Sequence, residues 1–207
     1  MGELKDLQRR IIEISYRHKL SHIGSCLTAL PIMQEIYELK KPDEKFVLSA
    51  GHAHLAHAVL MEAKGIIKDA EKNIEEFGIH CDIEGGCDVS TGSLGQGLPI
   101  AVGMALADRT KNVYCLISDG ETMEGSIWEA LRIQYEQKLF NLKVYLNWNG
   151  WAAYRDTKEL IIQTFTISMG MKVINTNVDD FPFLIGQDAH YHVMNEEEYK
   201  QAMRILK

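Results

Sequence analysis

Leu4, Leu7, Ile11, Ile14 and His18 recur at helical spacing, so the chain opens with an amphipathic helix over residues 4–18. Ser21-His22-Ile23-Gly24-Ser25 interrupts it, and a second helix is expected from about Ala29 to Leu39. A polar turn, Lys40-Lys41-Pro42-Asp43-Glu44, leads into the short apolar run Phe46-Val47-Leu48-Ser49, read as a buried strand that ends at Ala50-Gly51-His52. A helix from about Leu55 to Lys64 follows, and residues 65–90 are polar and without clear period. Small residues then dominate a helix that opens at Thr91-Gly92-Ser93-Leu94-Gly95-Gln96-Gly97 and runs to about Arg109. Strand 113–117, helix 124–138, strand 143–147 and a last helix and strand within 157–175 complete the pattern before an irregular tail.

Strands alternating with helices, and glycine turns at strand ends, predict an α/β fold with a parallel sheet flanked by helices. Ligands of such sheets bind outside the carboxyl ends of the strands. His52, Asp119 and Asn149 each follow a strand and should face one crevice. No repeat or linker divides the 207 residues, which read as a single domain.

Composition narrows the function. An apolar fraction of 46% and a charged fraction of 25% are those of an ordinary globular protein. A net charge of −7 without a basic run argues against nucleic acid as partner. No apolar stretch approaches the ~18 residues of a membrane span. The charged N-terminus Met1-Gly2-Glu3-Leu4-Lys5-Asp6 does not resemble a signal peptide. Of the four cysteines, Cys115 lies in an apolar strand, whereas His80, Cys81 and Cys87 match no paired-cysteine zinc knuckle and lack an evident fourth ligand. The thiols, Cys26 among them, therefore read as reduced, and the protein as cytoplasmic.

Asp119 closes the strand Val113–Ile117 within Ser118-Asp119-Gly120-Glu121, and Asn149 closes Lys143–Leu146 within Asn147-Trp148-Asn149-Gly150. A carboxylate and an amide oxygen at neighbouring strand ends suit a hard cation, which completes its shell with waters and phosphate oxygens. The glycines at 92, 95 and 97 give G-x-x-G-x-G after a loop, not the dinucleotide fingerprint after a strand.

Taken in order, these segments resemble the transketolase family. Ser21-His22-Ile23-Gly24 is similar to its Ser-Gly-His-Pro-Gly segment, and Phe46-Val47-Leu48-Ser49-Ala50-Gly51-His52 to its strand and turn before a histidine. His80-Cys81-Asp82 stands where the family has His-Pro-Glu. Thr91-Gly92-Ser93-Leu94-Gly95-Gln96-Gly97 resembles Thr-Gly-Pro-Leu-Gly-Gln-Gly, and the Asp119-Gly120 to Asn149 interval resembles the thiamine-diphosphate motif. The resemblance covers nearly the whole chain.

It implies a thiamine-diphosphate-binding fold and assigns roles by position. Asp119, Asn149 and the carbonyl of Trp151 would bind Mg2+ or Ca2+, and Gly120 would meet a phosphate. Gly92, Ser93 and Leu94 would line the aminopyrimidine side. His22, His52, His80 and His190 would surround the reacting carbon as proton carriers, with His192 a weaker candidate than His190. Glu124 would communicate across a subunit interface, or serve the dipole of its own helix.

The implied activity is transfer of a two-carbon ketol unit from a ketose, phosphorylated in the leading reading, to an aldose. The alternatives are a 1-deoxyxylulose-phosphate synthase-like or 2-oxoacid dehydrogenase alpha-like subunit, and a catalytically silent assembly subunit. Prolines of the family are absent at Ile23 and Ser93, Ser118 replaces a glycine, and Trp148 an acid or amide. The stretch from Asn175 to His190 is short by several tens of residues. No pyrimidine-binding domain follows Lys207, so the expectation is a split enzyme completed by a C-terminal partner subunit, as a dimer of heterodimers.

Overall fold

A computed structural model describes residues 2–157 and 171–207. Its centre is a parallel sheet of four strands, β1 (Lys45–Leu48), β2 (Val113–Ser118), β3 (Leu142–Trp148) and β4 (Lys172–Asn175), in the order β1-β2-β3-β4. The register sets Leu48 beside Leu116, Ser118 beside Asn147 and Trp148 beside Asn175. The carboxyl ends therefore share one edge. The helix expected just after residue 157 lies outside the described residues.

Because both sheet faces are covered, the strands alternate between two cores. Phe46, Leu48, Tyr114, Leu116 and Tyr145 point into one, built with α1 (Gly2–His18), α2 (Ile23–Leu39) and α3 (His54–Ala63). Val47, Cys115, Ile117, Val144 and Leu146 point into the other, with α5 (Gly97–Ala107) and α6 (Gly125–Glu136). The small residues of α5 allow the close approach that they predict: a Cβ on Gly97 would come within 2.5 Å of the Ser49 backbone.

Three expectations need correction. The second helix begins at Ile23, ahead of Ala29, since Ile23, Cys26 and Leu27 are already buried in the core. The segment 65–90 contains α4 (Ala70–Phe77), a short helix that buries Ala70 and Ile74 in the first core and is also fixed by polar groups. Asp69 caps it by accepting from the amides of Glu71 and Lys72, while the Glu71 carboxylate bonds Arg17 and His18 of α1. The tail carries α7 (Glu196–Ile205), opened by a capping box between Asn195 and Glu198. It packs on α1, where the rings of Tyr16 and Tyr199 stack 4.3 Å apart and Arg9 donates to the Leu206 carbonyl. Among the described residues, no helix is long and apolar enough to cross a membrane.

Candidate active site

The turns after β1, β2 and β3 meet at the carboxyl edge. Asp119 is fully buried. Its Oδ1 accepts from the Gly120 amide at 3.0 Å, and its Oδ2 accepts from the Gly150 amide and the Thr157 hydroxyl, each at 2.7 Å. One carboxylate thus fastens the β2 turn to the β3 turn. Burial pushes its pKa up, against the pull of those hydrogen bonds. A carboxylate desolvated in this way gains from a cation.

Asn149 Oδ1 accepts from the Trp151 amide at 3.0 Å, which shapes the turn and leaves the oxygen a second lone pair. Asp119, Gly120, Asn149, Trp151, Leu94 and His52 line one cavity, and His190 closes it. The donor set is all oxygen, suited to a hard cation that retains open positions for phosphate.

Beside this cavity, three imidazoles converge. The ring centroids of His22 and His190 are 4.7 Å apart, those of His22 and His52 5.5 Å, and those of His52 and His190 5.8 Å. Burial, then the neighbouring imidazoles, holds His22 down to about 4 and His52 to about 3. Burial also lowers His190. The group is neutral near pH 7, so each ring keeps a nitrogen able to accept a proton.

His22 adopts φ 62°, in the left-handed region, at the start of α2. Its amide donates to the His190 carbonyl at 3.2 Å, and its Nδ1 lies 2.8 Å from the Ser21 hydroxyl. Strain of this kind concentrates at working sites. His80 is exposed and lies against Gly92, where an added Cβ would approach its ring at 3.3 Å. His192 points elsewhere, bonding Glu198 of the α7 capping box at 2.8 Å.

The glycine turn is held by a residue to which the sequence assigned no role. Glu121 is fully buried, and its carboxylate accepts from the Ser49 hydroxyl, the Gly95 amide at 3.0 Å and the Ser118 amide at 2.9 Å. It ties the ends of β1 and β2 to the turn. Ser118, in place of the family glycine, adds its hydroxyl to the same carboxylate. Gly95 needs its φ of +77°, and a Cβ there would strike Ser126 and Glu124. Glu124 is the N-cap of α6 beside that glycine, and Ser93 is exposed at the turn. The tail also forms a wall: Asn177, Val178, Leu184 and Ile185 line a second cavity with His22 and His190. Nothing in the sequence of those four residues marked them.

Residues 21–161 match the family model described as transketolase, thiamine diphosphate binding domain. The chain is 34% identical over 202 residues to an apulose-4-phosphate transketolase subunit of Phocaeicola vulgatus, covering 86% of this chain and 72% of that protein. It is 33% identical over 162 residues to the 6-deoxy-6-sulfo-D-fructose transketolase subunit SqwG of a Clostridium species, covering 68% and 59%. The chain spans about a quarter of the length of the mammalian transketolases that it matches. In fold it superposes on transketolase of Campylobacter jejuni with a TM-score of 0.85 at 20% identity, covering 99% of this chain and 42% of that one.

Proposed function

Because the chain belongs to the transketolase family, we propose that it is the N-terminal, diphosphate-binding subunit of a split, thiamine-diphosphate-dependent ketol transferase. The observation that carries this reading is the cavity shared by buried Asp119, Asn149, Trp151, His52 and His190 at the carboxyl edge of the sheet. In this reading Asp119, Asn149 and the Trp151 carbonyl hold Mg2+ or Ca2+, and Gly120 lets the backbone approach a phosphate. Gly92, Ser93 and Leu94 line the aminopyrimidine side.

Thiamine diphosphate, when bound, supplies the nucleophilic carbon and the electron sink for carbon–carbon cleavage. This chain supplies orientation and proton carriers. His22, His52 and His190, held neutral, take the proton of the substrate hydroxyl next to the breaking bond and return it to the product. His80, at the exposed rim, binds sugar hydroxyls, and Glu124 acts at the subunit interface. The two bacterial relatives are named for a sugar phosphate and a sulfonated sugar. A ketose with an anionic far end is accordingly the proposed donor.

Both relatives are named as subunits. Residues 1–207 are proposed as one domain, completed by a C-terminal chain bearing the pyrimidine half, in a dimer of heterodimers. Four free cysteines agree with a reducing, cytoplasmic setting. Calorimetry on the reconstituted complex tests the reading: thiamine diphosphate with magnesium should bind, and ketol transfer should require both chains. A complex that fails to bind the cofactor, or ketol transfer by this chain alone, would overturn it.

A further inference from the structure

Away from the carboxyl-edge cavity, four side chains that the reaction does not use meet in the interior. They are His54 and His57 of α3, one helical turn apart, with Cys81 and Cys87 of the loop after α4. All four are buried, and their donor atoms lie within 4.8 Å of one another. Cys87 Sγ is 3.6 Å from His54 Nδ1 and 3.5 Å from His57 Nδ1. With zinc–sulfur near 2.3 Å and zinc–nitrogen near 2.0–2.1 Å, a tetrahedron has sulfur–nitrogen edges of about 3.6 Å. The two spacings from Cys87 match such edges.

The outer faces of both rings are already held. His54 Nε2 lies 3.1 Å from Asn73 Oδ1, and Asn73 Nδ2 donates to the Gly85 carbonyl at 2.8 Å. That second bond fixes the amide orientation, so His54 must donate from Nε2 and turn the Nδ1 lone pair toward the sulfurs. His57 Nε2 meets the Tyr37 hydroxyl at 2.7 Å. Metal-binding imidazoles are oriented through their second nitrogen in the same manner.

We propose that His54, His57, Cys81 and Cys87 form a closed structural zinc site. Two thiolates and two imidazoles suit zinc rather than a hard cation, and four protein donors leave no position for water or substrate. Two thiolates neutralise the ion, so the burial carries no net charge. The site gives the loop after α4 the anchor that its polar sequence denies it. The Cys81 carbonyl accepts from the Thr91 amide at 3.1 Å, and the Thr91 hydroxyl donates to the Leu48 carbonyl at 2.6 Å. The ion would thereby pin His80 and the glycine turn to α3 and β1. Cys81, which replaces the proline of the family's His-Pro-Glu, acquires a purpose.

The test is metal analysis of the full chain, purified without chelator from zinc-supplemented cells. One zinc per chain is expected by plasma mass spectrometry. Replacement by Co2+ should give the strong visible bands of a tetrahedral ion with thiolate charge transfer in the near ultraviolet. His57→Gln and Cys87→Ser should lose the metal, while Cys26→Ala, outside the cluster, should keep it. Should the two ligand variants fail to fold, the wild-type measurements decide. A wild-type chain that neither carries zinc nor takes it up on dialysis, or a Cys81–Cys87 disulfide found by mass spectrometry, overturns the proposal.

Discussion

The carboxyl-edge cavity and the histidine–cysteine cluster are both suited to a cation, and they are built on opposite rules. The first uses oxygen donors on turns, faces a cavity and leaves room for groups from elsewhere. The second uses nitrogen and sulfur donors from one helix and one loop, buried and complete. A site that exchanges its occupant is assembled where backbone ends; a site that keeps its occupant is assembled inside the core. The contrast assigns chemistry to the first and architecture to the second.

Asp119→Ala separates the two most sharply. It should weaken binding of thiamine diphosphate and magnesium by more than about 100-fold, since even outer-sphere losses cost about 10–100-fold. Zinc content should stay unchanged, and calorimetry beside metal analysis reads both. His52→Ala comes next: kcat in the complex should fall by about 10²–10⁴, the worth of a positioned proton carrier, with cofactor affinity kept. Its pH behaviour has a definite sign. Burial holds His52 to about 3 and His22 to about 4, below the ordinary ~6.5. The unfolded chain therefore takes up protons first, and stability complete above about pH 6.5 is lost as pH falls toward 4 and 3. His52→Gln should flatten the fall in melting temperature between about pH 6.5 and 5.

On the other side of the comparison, Asn73→Ala removes the orienting partner of His54 and should lower zinc affinity about 10–100-fold in a competition with a chromophoric chelator. Its effect on kcat should be small. Least of all, Asn195→Ala should cost about 1 kcal/mol through the lost cap of α7, a drop of about 2–4 °C in melting temperature, and should touch neither metal.

Much of the first site could be read from the residues, and little of the second. Strand ends announce themselves when an apolar run stops at Asp119-Gly120 or Asn149-Gly150, and parallel order then brings them together. Glu121 was visible in the same run yet carried no sign of its partners Ser49 and Gly95, which come from distant segments. His54 and His57 were hidden because they interrupt an apolar helix, where a histidine reads as core. Their spacing of three residues was the signal, but it means something only beside two cysteines more than twenty positions away. The α4 helix was missed because its apolar positions, Ala70, Ile74 and Phe77, are few and spread among charged residues. The α7 helix was missed too, in a tail read as irregular, although Asn195-Glu196-Glu197-Glu198 carries a cap signature.

The bond from the His22 amide to the His190 carbonyl joins the last segment of the chain to the first histidine of the site. Held on the near side by α2 and on the far side by α7 against α1, that bond makes the histidine group a seam between two segments far apart in the chain. Seams held by few contacts open before the central strands do. Warming should therefore unzip the histidine group while the sheet is still intact, and heat inactivation should precede melting.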